Sequence, residues 1–227
     1  MINTLDLISS RNFKNLENLK FSSFYSYPEG NKIPFIILLH SLGKNETYLT
    51  QFSDIFPKNY FILSIRGPLE WRVDGDDSFA WFDIKGPLLE NFCKEADILE
   101  SIDYLKKCIQ FYMEKFPSLD DPILVGFSQG GIVALTSAVE GLLGLKGVYS
   151  HCGFYESKLD TGKKEIKIPI LMTNGENDPV IPTAWVQESH EKLTEKCLNF
   201  EGHFLPGGHQ ITKNCLYHLI SWINKLT

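Results

Sequence analysis

The feature that most restricts the fold of this chain is a regular exchange between two hydrophobic periods. Short apolar runs stand at residues 35–39, 60–65, 123–127, 145–150, 168–173 and 198–204. Each is too short for a helix and shows little polar alternation, as expected of strands whose two faces are both covered in a parallel sheet. Residues 21–27 alternate instead and read as an antiparallel strand feeding that sheet. Helical patterns fill the intervals, most clearly at 90–116, where Leu99, Ile102, Leu105, Ile109, Tyr112 and Phe116 recur every three to four residues. Further helices are expected at 47–56, 129–140, 182–196 with Pro182 in the first turn, and 213–226. Alternating strands and helices imply right-handed crossovers and an α/β fold: a mostly parallel, doubly wound sheet flanked by helices. The ligand site of such a sheet lies beyond the carboxyl ends of its strands. A length of 227 residues suits one domain spanning 1–227.

Composition narrows the function classes. Hydrophobic residues make up 43% and charged residues 22%, ordinary globular values that exclude a disordered or fibrous chain. A formal charge of −6 leaves no basic surface for nucleic acid or an anionic membrane, and Lys163, Lys164 and Lys167 read as a solvated loop. Cys93, Cys108, Cys152, Cys197 and Cys215 are odd in number, scattered and free of any C-x-x-C spacing. That argues for reduced thiols and against a disulfide framework or a zinc site. Residues 1–20 lack a basic region followed by an apolar core, and no stretch approaches the roughly 20 apolar residues of a spanning helix. A cytoplasmic enzyme is expected.

Two connections, 66–89 and 152–167, are long and without periodicity, and long irregular loops in a compact domain are often functional. The first carries Trp71, Phe79, Trp81 and Phe82 after a strand end. Those rings either wall a substrate pocket or form a hydrophobic mini-core beneath a surface loop.

The chemistry begins at Gly126-Phe127-Ser128-Gln129-Gly130, a G-x-S-x-G element. Alone it is weak, since a chain of this length would show one by chance on the order of 0.1 times. Its context is what the nucleophile elbow requires: an apolar strand before, a helix after, and glycines two residues either side of a strained serine. Ser128 is therefore the candidate nucleophile. Serine needs a base and an orienting acid, and in chain order these follow as Asp or Glu, then His. Asp178, in a turn after the 168–173 run, is preferred over Glu176 because Asp178-Pro179 fixes a turn. His209, between the last apolar run and the final helix, is preferred over His203, which falls within or at the end of a strand. His190 and His218 lie in helical patterns. His151, at another strand end, either lines the site or packs. Acyl transfer also needs donors for an oxyanion, and the backbone N–H groups of Gln129 and of Leu42, in His40-Ser41-Leu42-Gly43 after the first parallel strand, are the candidates.

Together with Leu39 to Gly43, these elements carry a resemblance. Arg66-Gly67-Pro68, Trp81-Phe82-Asp83, Asn177-Asp178-Pro179-Val180-Ile181-Pro182 and Gly207-Gly208-His209 complete it across nearly the whole chain. The chain resembles the phospholipase/carboxylesterase family of α/β-hydrolases, which includes bacterial carboxylesterases and acyl-protein thioesterases. The resemblance implies an α/β-hydrolase fold with no large cap domain. It also implies a cofactor-independent and metal-independent esterase or thioesterase, often dimeric, acting on a small-molecule ester or thioester. Two departures stand out: Ser41, where the family usually has glycine, and Ser150-His151-Cys152-Gly153, where relatives usually carry a simpler Ser-Gly. Trp71, Trp81, Phe82 and His151 are the substrate-pocket candidates, and Arg66 or Arg72 is placed to meet an acidic substrate group. Lysophospholipase or protein deacylase activity, or a non-catalytic ligand-binding role, are the alternatives.

Overall fold

In the computed structural model the described residues are 22–24, 30–71, 77–86, 92–141, 144–155 and 165–226. The apolar runs pair into a seven-stranded sheet in the order β1-β3-β2-β6-β7-β8-β9. Its strands are β1 (Ser22–Phe24), β2 (Ile33–Leu39), β3 (Phe61–Ile65), β6 (Leu119–Phe127), β7 (Gly147–His151), β8 (Ile170–Gly175) and β9 (Phe200–Leu205). Only β1 runs antiparallel, against β3, as its alternating sequence foretold. The others are parallel throughout. A two-stranded hairpin, β4 (Leu69–Glu70) with β5 (Phe79–Ala80), stands apart inside the 66–89 connection. Strands of two residues carry no readable period, which is why the sequence shows only a loop there.

The missing alternation within the strands has a simple cause. In β2, Phe35, Ile37 and Leu39 enter one core while Ile36 and Leu38 enter another on the opposite face, so both parities of side chain are buried. The first core is covered by α1 (Glu95–Lys115), α2 (Gln129–Val139) and α3 (Thr183–Lys196). In α1 the stripe of Ile98, Ile102, Leu105, Ile109 and Tyr112 is buried, with Leu99 and Phe116 half-covered beside it. The second core is covered by α4 (Lys213–Leu226), through Leu219, Trp222 and Ile223, and by the segment Leu49–Ile55. Each fully buried side chain of this size contributes roughly 1.5–3 kcal/mol, so the two cores together fix the layer order.

Two expected helices differ in detail. Leu49–Ile55 is a 3-10 helix rather than an α-helix. Hydroxyl and amide side chains compete for its backbone: Asn45 Oδ1 accepts from the N–H and hydroxyl of Thr47, and Thr50 Oγ1 donates to the Thr47 carbonyl. Pro182 caps α3 in an extended conformation instead of occupying its first turn.

The strand registers place the future site. Leu39 stands opposite both Ile65 and Gly126, Phe127 opposite His151, His151 opposite Thr173, and Gly175 opposite Leu205. The carboxyl ends of six strands thus lie in one row. The strand order reverses between β2, which is followed outward by β3, and β6, which begins the march in the other direction. Such a reversal opens a crevice between the loops that leave the two strands.

Candidate active site

Ser128 sits in that crevice as the residue joining β6 to α2. Its backbone adopts φ 55° and ψ −117°, a conformation that side-chain-bearing residues avoid and that stores strain. The surroundings hold it there: its N–H donates to the His151 carbonyl at 2.8 Å, and its own carbonyl accepts from Ile132 N–H at 3.0 Å. The flanking glycines are required by close approach. A Cβ on Gly126 would lie 2.3 Å from the Gly130 carbonyl oxygen, and one on Gly130 would lie 2.2 Å from the Leu39 carbonyl oxygen. The first turn of α2 therefore packs directly on the end of β2, and the first amides of a helix have no intrahelical acceptors.

Three side chains that are far apart in sequence meet at this point. His209 Nε2 lies 2.9 Å from Ser128 Oγ, and His209 Nδ1 lies 2.7 Å from Asp178 Oδ2. The second carboxylate oxygen, Oδ1, accepts the N–H groups of Val180 at 2.8 Å and Ile181 at 2.9 Å. Asp178 is thus fixed by its own turn on one side and by the imidazole on the other. Burial favours its neutral form, but those two amides and His209 outweigh it and hold its pKa below the usual carboxylate value. An ionised Asp178 accepts a hydrogen bond from Nδ1–H, which fixes the tautomer and leaves the Nε2 lone pair facing the serine hydroxyl. For His209 burial opposes a proton on the ring, while Cys152 and the Asp178 carboxylate favour one, and the balance lies above the ordinary histidine value. Glu176 points to solvent and His203 lies within β9, its ring 4.6 Å from that of His218. Neither takes part in this line.

The neighbouring loop, 40–43, is clamped from below. His40 is fully buried, and its Nε2 accepts the Gly67 N–H at 2.8 Å, so Nδ1 carries the proton and donates to the Ser41 carbonyl at 2.8 Å. Burial above all pulls its pKa down to about 4. Trp81 Nε1 donates to the His40 carbonyl at 2.9 Å. The Gln129 side chain accepts the Trp81 N–H and donates to the Phe82 carbonyl, both at 2.7 Å. These contacts tie the loop that carries Leu42 to the helix that carries Gln129, and they give His40 and the Gln129 side chain a role that no spacing in the sequence disclosed.

The pocket candidates separate by burial. Trp81 and Phe82 are fully enclosed members of the main core, whereas Trp71 is half-buried beside Gly43. Arg66, expected to meet an acidic substrate group, is instead buried against Glu46, with Nε to Oε2 at 2.5 Å and Nη2 to Oε1 at 2.8 Å. It also pairs with Asp77 and stacks over Phe79, so its charge is consumed by the loop it anchors. Arg72 lies outside the described residues, as do Lys163 and Lys164. His151 is buried with its ring between Phe127 and Tyr149, and its Nε2 lies 2.9 Å from the Gln210 carbonyl beside His209. It also lines an apolar cavity with Leu38, Leu49, Phe52, Val125 and Leu219. Cys152, fully buried at φ 50°, lies against Gly208 and the imidazole of His209. The sequence signalled it only as a departure from the resembled pattern.

Comparison with known proteins gives the family. The pattern of the phospholipase/carboxylesterase family matches residues 25–227. The chain is 27% identical over 213 residues to acyl-protein thioesterase 1 of Saccharomyces cerevisiae, an alignment covering 84% of this chain and 91% of that protein. It is also 27% identical over 204 residues to carboxylesterase SOBER1 of Arabidopsis thaliana, covering 84% and 90%. The carboxylesterase of Bacillus cereus superposes with a TM-score of 0.78 at 21% identity, over 91% of this chain and 94% of the other, a likeness of fold. No helix among the described residues is long and apolar enough to cross a membrane. With the family pattern running through nearly the whole chain and esterase-type relatives along most of it, the chain belongs to the phospholipase/carboxylesterase family and is an α/β-hydrolase of the esterase and thioesterase type.

Proposed function

We propose that the protein cleaves a carboxylic ester or thioester through Ser128, His209 and Asp178 by way of an acyl-enzyme. The observation that carries this reading is the unbroken line from Asp178 Oδ2 through His209 to Ser128 Oγ, with contacts of 2.7 Å and 2.9 Å. His209 Nε2 takes the Ser128 proton as Oγ attacks the acyl carbonyl, and the imidazolium is stabilised by Asp178. The backbone N–H groups of Gln129 and Leu42 receive the oxyanion, and each such donor contributes about 10²–10³ in rate. His209 then returns the proton to the departing alcohol or thiol and activates the water that releases the acid. The free thiols of Cys108, Cys152, Cys197 and Cys215 support a reducing, cytoplasmic setting, and the continuous match from residue 25 to 227 supports one catalytic domain.

The test is a pair of comparisons with p-nitrophenyl acetate and a fluorophosphonate probe. Ser128→Ala is expected to abolish turnover and labelling in a folded protein, and turnover retained at the wild-type rate would remove Ser128 from the chemistry. Asp178→Asn is expected to lower kcat by about 10⁴ by disturbing the imidazole tautomer, while Glu176→Gln changes little. The opposite ranking would hand the acid's role to Glu176.

A further inference from the structure

We propose that Cys152, Asp178 and His209 form a binding site for a thiophilic divalent cation, zinc by preference, and that its occupancy switches the hydrolase off. The inhibitory half of this proposal rests on the catalytic reading above, whereas the binding half stands on its own geometry. One ligand atom from each of the three side chains lies within 4.8 Å of the other two, the one such cluster among the described residues. The cluster is enclosed: Cys152 is fully buried, and the side chains of Asp178 and His209 are 2% and 15% exposed.

The chemistry of the set selects the ion. A thiolate beside an imidazole and a carboxylate suits zinc, cadmium or cobalt, and disfavours magnesium and calcium, which take oxygen ligands. Tetrahedral bonds of about 2.3 Å to sulfur and about 2.0–2.1 Å to nitrogen and oxygen place ligand atoms roughly 3.3–3.7 Å apart. The Nδ1 to Oδ2 contact of 2.7 Å therefore opens by a little over half an ångström, and the sulfur closes in by less than about an ångström and a half. Two anionic ligands and one neutral one cancel the charge of a divalent ion, which suits a buried position. Three protein ligands leave the fourth position to water at the partly exposed imidazole edge, as in open zinc sites.

The balance of protons explains inhibition. The Cys152 thiol gives its proton to solvent and its sulfur bonds the metal. His209 Nδ1 surrenders its proton to Nε2 and binds the metal through the freed lone pair. No electron is transferred, and one proton leaves per ion bound. Nε2, now protonated, points a donor at Ser128 Oγ and has no lone pair with which to take the serine proton.

Full-length protein stripped with a chelator and titrated with cobalt chloride is expected to show one equivalent of a thiolate-to-cobalt charge-transfer band with tetrahedral visible absorption. Zinc chloride is expected to remove that band and to inhibit ester hydrolysis at concentrations on the order of micromolar, weaker than a closed four-ligand site. In Cys152→Ser the band is lost and the zinc inhibition constant, taken relative to the variant's own metal-free rate, rises by about 100-fold or more, beyond the loss of a mere supporting contact. Ser128→Ala keeps the band although it contributes no turnover, which separates failure of the metal site from failure of the catalytic assignment. Zinc-edge fine structure of the loaded wild type is expected to contain one sulfur at about 2.3 Å, a measurement that needs no variant. A wild type without the charge-transfer band, a zinc shell of nitrogen and oxygen alone, or a Cys152→Ser protein that binds and is inhibited like wild type overturns the proposal.

Discussion

At the scale of single residues, two histidines with opposite environments lead to opposite pH behaviour. In the proposed cycle His209 is the base, a role that requires a neutral ring, and its pKa is raised above the ordinary 6.5. The acid limb of kcat/KM is therefore expected to fall at a pH above 6.5, with activity present on the alkaline side. Asp178→Asn should shift that limb downward, because one of the groups favouring the proton is gone. A limb at or below 6.5 in the wild type would mean that a different group is being titrated. His40 is the reverse case: folded, it is held neutral down to about pH 4, whereas unfolded it takes a proton near 6.5. The unfolded chain then binds more protons between those values, so stability is complete above about 6.5 and declines as the pH falls toward 4, by about 3 kcal/mol in all. Thermal midpoints of wild type and His40→Asn test this. The variant is expected to lose less between about pH 7 and about pH 4.5, and equal losses would clear His40 of the effect.

At the scale of elements, the turn from β6 into α2 depends on backbones touching. Gly130→Ala drives a methyl into the Leu39 carbonyl and is expected to destabilise by about 3 kcal/mol or more, the upper end of overpacking costs. Gly144→Ala, whose added methyl would meet nothing within 4 Å, is expected to stay within about 0.5 kcal/mol, and urea denaturation of the pair gives the contrast. Similar losses in both would mean that close approach is not what selects glycine at position 130. Element type was legible wherever a run was long enough to show its period, as in α1, α4 and the buried strands. It was not legible for β4 and β5, which are two residues each, nor for Leu49–Ile55, where hydroxyl groups tighten the turn of a segment that scans as an ordinary helix.

At the scale of the whole molecule, buried charge holds the approach to the site. Glu46 and Arg66, 20 residues apart, form a nearly dry pair that ties the 44–48 loop to the end of β3, with Asp77 of the following connection joined to it. Glu46→Leu leaves the guanidinium without its buried partner and is expected to cost about 3–5 kcal/mol in denaturant unfolding. A loss below about 1 kcal/mol would mean that the remaining partners of Arg66, the exposed Asp77 among them, suffice. The order Ser, Asp, His and the alternation of hydrophobic periods are properties of the chain read in one dimension. They determined the layered α/β architecture and the positions that the crevice would have to unite, because periodicity and turn chemistry are local. Which partner each buried charge takes, that Arg66 is spent on Glu46, that His40 faces Gly67, and that Cys152 comes to rest against His209 across 57 positions of sequence, were decided only when the strands fell into register. Cysteine spacing speaks only to ligands close together in sequence. Cys152, Asp178 and His209 stand singly on three loops and leave no local signature, and only the common row of strand ends brings them together.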